Sequence, residues 1–138
     1  MVQKTFTILK PDTVTAGNAG VIITRIEKEG FRIRAMKMMH LTEQQAQGFY
    51  YVHKERPFFP SLVKFMTEGP IVLMVLEADN AIDKLRKVMG ATDPAKADTG
   101  TIRKHFGTNI ERNAIHGSDG PDTATFEISY FFSQLEIV

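Results

Sequence analysis

Residues 70–78, PIVLMVLEA, are apolar without interruption from Ile71 to Leu76. A bilayer-spanning helix needs about 20 such residues, so a run this short belongs inside a folded domain. A strand with one wet face alternates apolar and polar residues, whereas one covered on both faces runs apolar throughout. The stretch therefore predicts a central strand with helices on each side. Two flanking stretches carry the alternation that it lacks. KTFTIL (4–9) alternates and stops ahead of Pro11, and FRIRAMKMM (31–39) alternates again, so both read as further strands.

Helical signals separate these strands. Gly17 and Gly20 bracket the entry to VIITRIEKEG (21–30), where Gly30 closes a helix. The segment 41–69 opens with Thr42 as a cap and holds helical turns broken at Pro57 and Pro60. DNAIDKLRKVMG (79–90) sets Ile82, Leu85 and Met89 on one face, with a cap at Asp79 or Asn80 and a stop at Gly90. Residues 91–121 are rich in Gly, Asp, Asn and Thr and show no apolar period, so they read as a long loop, which in a compact domain is usually functional. TATFEISYFF (123–132) fits either a strand or a helix: Phe126, Ile128 and Tyr130 alternate, but Phe131 and Phe132 break the pattern. Alternating strands and helices imply an α/β sandwich, and the pattern fits a split βαβ, ferredoxin-like order and a flavodoxin-like sheet equally.

Composition limits what such a domain does. The chain has 138 residues, 43% hydrophobic and 24% charged, which is a globular composition and suits one domain over 1–138. Lys and Arg number 17 against 16 Asp and Glu, and the net charge of +1 argues against a dedicated nucleic-acid binder or a polybasic membrane protein. With no cysteine there is no disulfide, thiolate nucleophile or cysteine metal site, which fits a reducing compartment. MVQKTFTILKPD has no long apolar stretch, so no signal peptide is expected and the predicted location is cytoplasmic.

Most chemical motifs fail. GNAGVIIT (17–24) lacks the lysine of a P-loop, and GSDG (117–120) lacks the spacing of a hydrolase elbow, which makes Ser118 a poor nucleophile. The 4 histidines show no metal-ligand spacing, so no built-in metal site is expected. What remains is His116, in NAIHGSDG (113–120), with Lys10, Arg86, Thr92 and Arg103 as a scatter of phosphate-binding groups. An imidazole has an ordinary pKa of about 6.5, so near neutral pH it offers a lone pair that can take a phosphoryl group. Phosphoryl transfer asks a protein mainly for positioning and positive charge. A carboxylate such as Glu127 would hold the ring.

NAIHGSD (113–119), ILKPD (8–12), ERPFFPSLVKFM (55–66), EGPIVLMVLE (68–77) and GATDPAKADTGTIR (90–103) together resemble nucleoside diphosphate kinases in unbroken order from about residue 4 to 132. The resemblance implies transfer of the γ-phosphate of a nucleoside triphosphate such as ATP to a nucleoside diphosphate, by a ping-pong route through a phosphohistidine, which maintains nucleotide pools. It implies that His116 is the nucleophile, through Nδ1, and that Ser118 and Glu127 orient its ring. Phe58 would stack on the base in a slot lined by Leu62 and Ile110. Lys10 and Asn113 would bond the sugar hydroxyls, with Tyr50 near Lys10 and the histidine. Arg86, Thr92 and Arg103 would hold the phosphates, and Arg56 would add a further contact. Magnesium would arrive with the nucleotide, with Asp119 reaching it through water.

The same resemblance implies a ferredoxin-like βαββαβ sandwich with a four-stranded antiparallel sheet covered by helices. Segment 123–132 is then the fourth strand running into a short helix, or a helix outright if the strand lies earlier. It also implies a homo-oligomer, a tetramer or hexamer built from a dimer, with residues 91–111 at subunit contacts. The glycines beside His116 would let backbone approach the phosphate. An alternative of another class is a catalytically silent nucleotide-binding or interaction protein of the same fold, which needs the phosphate clamp but not the nucleophile.

Overall fold

The apolar run becomes β3 (Ile71–Asp79), whose first six residues are all buried. The computed structural model describes residues 1–138. On one side β3 pairs antiparallel with β1 (Val2–Leu9), Phe6 opposite Val75 and Leu9 opposite Val72. On the other it pairs antiparallel with β2 (Arg32–Met39), with a register irregularity between Ile33 and Ala35. A fourth strand, β4 (Ile115–Gly117), lies antiparallel along the far side of β1 and sets His116 opposite Ile8. The sheet order β2-β3-β1-β4 is the ferredoxin-like one, which removes the flavodoxin-like alternative.

Period-two alternation sends the strand side chains into two cores. Phe6, Ile8, Leu73 and Val75 pack against α3 (Glu43–Phe49), α4 (Phe59–Met66) and the end of α7 (Pro121–Phe131). Leu9, Val72, Met74 and Leu76 face α2 (Ala19–Lys28) and α5 (Ala81–Met89), through Ile22, Ile26, Leu85 and Met89. A capping box between Thr42 and Gln45 starts α3 where expected. Asn80 precedes α5 in a left-handed conformation and makes no side-chain cap bond.

Several expectations are corrected. Pro11 does more than end β1: it opens α1 (Pro11–Thr15), since a proline suits the first helical turn. Residues 91–121 are not one loop but contain a 3-10 turn at Pro94–Lys96, α6 (Ile102–Phe106) and β4. These pieces are too short for any period to show. Segment 123–132 lies within α7 and its last neighbour, and the fourth strand lies earlier, at the histidine. Phe126 and Tyr130 misled the alternation because they are four residues apart on one helix face, their ring centroids 5.7 Å from each other.

Between β2 and β3 the simple fold has only a hairpin. Here residues 40–70 insert α3, a 3-10 turn at Tyr51–His53 and α4. That insertion forms one wall of the cleft described next.

Candidate active site

The exit of β1, β4 and the last turn of α5 meet at one end of the sheet, beneath the inserted helices. They enclose a cleft of about 550 Å³. Lys10, Tyr50, Phe58, Arg86, Thr92, Arg103, Asn113, His116 and Glu127 all line it, together with Leu62, Ile110 and Asp119. Ser118 stands behind the lining, bonded to Glu127. Arg56 does not line the cleft.

His116 is the central residue of β4 and its side chain is 22% exposed. Its backbone carbonyl accepts from Thr7 Oγ1 at 2.6 Å, and Ser118 N donates to Phe6 O at 3.1 Å, so β1 fixes the strand on both sides of the ring. The ring sits edge-on to Phe49, centroids 5.7 Å apart. Glu127, projected from α7, places Oε1 2.9 Å from His116 Nε2 and accepts from Ser118 Oγ at 2.6 Å. An ionised carboxylate only accepts, so Nε2 carries the proton and Nδ1 keeps its lone pair. Glu127 thus selects the tautomer whose free nitrogen is Nδ1.

The cations are held in place by a buried network. Lys10 Nζ donates to Asn113 Oδ1 at 2.8 Å, and Asn113 Nδ2 donates to Thr92 O at 3.0 Å, which ties the exit of β1 to the loop after α5. Burial, reinforced by the Arg103 guanidinium, pulls the Lys10 ammonium down to about 8. Arg103, 8% exposed, donates to Ile115 O at 2.8 Å and Gly90 O at 3.2 Å, while its Nε has no partner. Burial, with Arg86 close by, brings its pKa to about 10, which leaves it charged at neutral pH. Two of its donors therefore fasten backbone. The Tyr50 hydroxyl is buried without a partner, and burial together with the Glu127 carboxylate raises its pKa, so it stays protonated.

At the other end of the cleft the Phe58 ring is 48% exposed and lies 5.5 Å, centroid to centroid, from His53. His53, Val52 and Phe49 also line the cleft, as do Glu111 and Thr123, and none of the five carried a sequence signal. Gly117 lines the cleft, and packing gives it a second reason. A Cβ there would stand 2.6 Å from Met89 Sδ and 3.1 Å from Leu85 Cδ2, so this glycine lets β4 lie against α5. No three His, Cys, Asp or Glu side chains gather as a metal site.

Comparison with known proteins agrees with this architecture. The family model for nucleoside diphosphate kinase matches residues 3–137. A nucleoside diphosphate kinase of Geotalea daltonii is 56% identical over 136 residues, covering 99% of each chain. The structure of the Aquifex aeolicus nucleoside diphosphate kinase superposes with a TM-score of 0.98 at 48% identity, over 100% of both chains. That of the Halobacterium salinarum nucleoside diphosphate kinase in complex with CDP gives 0.96 at 41% identity, over 100% of this chain and 92% of the other.

Proposed function

The chain belongs to the nucleoside diphosphate kinase family, enzymes that transfer phosphate between nucleotides, and we propose that it does so through Nδ1 of His116. The observation that carries this reading is the 2.9 Å bond from Nε2 to Glu127, which leaves Nδ1 as the free nitrogen in a cleft holding Lys10, Arg86 and Arg103.

In the first half-reaction the Nδ1 lone pair attacks the γ-phosphorus of a nucleoside triphosphate, and the bond to the bridging oxygen breaks, releasing the diphosphate. The imidazole gains positive charge as the N–P bond forms, and the Glu127 carboxylate, fixed by Ser118, balances it without taking the Nε2 proton. In the second half-reaction a terminal oxygen of another nucleoside diphosphate attacks the same phosphorus and Nδ1 leaves with its electron pair. No net proton is consumed. Arg86, Thr92 and Arg103 hold the phosphates, Lys10 and Asn113 face the sugar, and the Tyr50 hydroxyl is a donor available to bound oxygens. Phe58 presents a ring face to the base, and a π-face fits every base.

Magnesium fits this donor set only as a passenger of the nucleotide, since phosphate oxygens would supply most of its ligands and Asp119 is a carboxylate on the rim. When bound it neutralises phosphate charge. Self-assembly from a dimer is supported by the open edge of β2, where Met36 and Met38 are 54% and 61% exposed. A cytoplasmic location fits a chain without cysteine, and no helix is long and apolar enough to cross a membrane.

A silent binding protein would not need the nucleophile with its carboxylate support. The test is labelling with [γ-32P]ATP and magnesium: the wild-type chain gains an acid-labile, base-stable phosphate that GDP removes. Equal labelling and turnover by His116→Ala would overturn the reading.

A further inference from the structure

His116 is preceded by a backbone feature that nothing in its chemistry explains. Ala114 has φ +76°, a left-handed conformation that residues with a Cβ rarely adopt. Ile115 N donates to Asn113 O at 2.9 Å, closing a three-residue γ-turn centred on this alanine. The strained turn joins Asn113, which faces the sugar site, to β4, which carries the imidazole. β4 is three residues long, too short for its ladder to fix it alone.

The turn is held from outside by one short segment. Lys10 N and Thr13 Oγ1 each donate to Ala114 O at 2.9 Å, and Ala114 N donates to Asp12 Oδ2 at 3.1 Å. Both backbone polar groups of the strained residue are thus met by residues 10–13. Pro11 opens α1, and Asp12 and Thr13 lie in its first turn. The second Asp12 oxygen is buried with no partner, a cost that the bond from Ala114 N to the first oxygen offsets. Asp12 does not line the cleft, so it acts through Ala114.

We propose that Asp12, assisted by Thr13, is a positioning residue that clamps the left-handed turn at Ala114 and so sets the Nδ1 atom of His116 in line for phosphoryl transfer. This rests on His116 being the nucleophile. A misplacement of about 1 Å at a reacting atom lowers rates by roughly a hundredfold.

Rapid-quench kinetics of His116 phosphorylation by saturating ATP, with ADP affinity measured by calorimetry, tests the clamp. Asp12→Ala is expected to slow the phosphorylation step by about 10- to 100-fold while the ADP Kd stays within about threefold. Asp12→Asn keeps an acceptor for Ala114 N and is expected to remain within about threefold of wild type. The decisive variant is Asp12→Ala with Ala114→Gly. Glycine adopts positive φ freely, so the double variant should regain most of the lost rate. Should Asp12→Ala not fold, Thr13→Val removes only one tether, and its slower rate should likewise be restored by Ala114→Gly. The proposal is overturned if the glycine restores nothing, if Asp12→Asn is as slow as Asp12→Ala, or if Asp12→Ala matches wild type. Each of these results leaves the nucleophile intact as long as His116→Ala stays unlabelled, whereas labelling of His116→Ala defeats the underlying reading instead.

Discussion

Lys10 makes a sharp test of how the cleft trades stability for binding. Its side chain is buried, it donates to Asn113, and burial with Arg103 nearby lowers its pKa from 10.5 to about 8. At 1.36 kcal/mol per pH unit, holding this ammonium charged costs the fold about 3 kcal/mol. The sign follows from which state binds the proton more tightly. Between pH 8 and 10.5 the unfolded chain keeps the proton that the folded chain releases, so the cost is full below pH 8 and vanishes by pH 10.5. Lys10→Met removes the charge and its hydrogen bond, and only the charge contribution depends on pH. Urea denaturation of both proteins, followed by far-ultraviolet circular dichroism, should show wild type gaining about 3 kcal/mol on the variant from pH 7.5 to 10.5. Nucleotide phosphates entering the cleft should return the proton. At pH 8.5, calorimetry in buffers of different ionisation enthalpy should record proton uptake on ADP binding to wild type and much less with Lys10→Met. Parallel stability curves across the whole window would refute the buried-charge reasoning.

Two further substitutions probe the surroundings of the imidazole. Glu127→Gln keeps the acceptor oxygen for Ser118 and His116 but removes the charge that balances the imidazolium. Charge-assisted bonds exceed neutral ones by about 1–2 kcal/mol, so kcat should fall roughly 5- to 30-fold with KM little changed, and a kcat within twofold of wild type would count against the role. Gly117→Ala drives a methyl group to 2.6 Å from Met89 Sδ. Overpacking of this kind costs about 1–3 kcal/mol, and thermal denaturation should show Tm lowered by several degrees; an unchanged Tm would mean that β4 and α5 separate freely.

How much of this molecule was legible depends on what holds each part. β3 was legible because burial on both faces leaves an unbroken apolar run, and α5 because Ile82, Leu85 and Met89 share a face. These elements are specified by burial, and burial has a period. The cleft is specified otherwise. His116 and the cations stood out as chemistry without a place, and their grouping came from resemblance to a family. Neither could have come from periodicity, because β4 and α6 span three and five residues. Tyr50 and Phe58 were placed by that same resemblance, since a ring that lines a cleft and a ring that packs in a core carry the same letter. The clamp on Ala114 is the extreme case: Asp12 bonds a residue 102 positions away, and an alanine at positive φ reads like any other alanine. A longer strand through His116 would have been readable, but its own ladder would have fixed the ring's backbone in ordinary β geometry. The short strand leaves that geometry to Thr7, Ser118 and the 10–13 segment, so the residues that hold the imidazole's backbone are scattered through the chain and the pattern falls silent around the cleft.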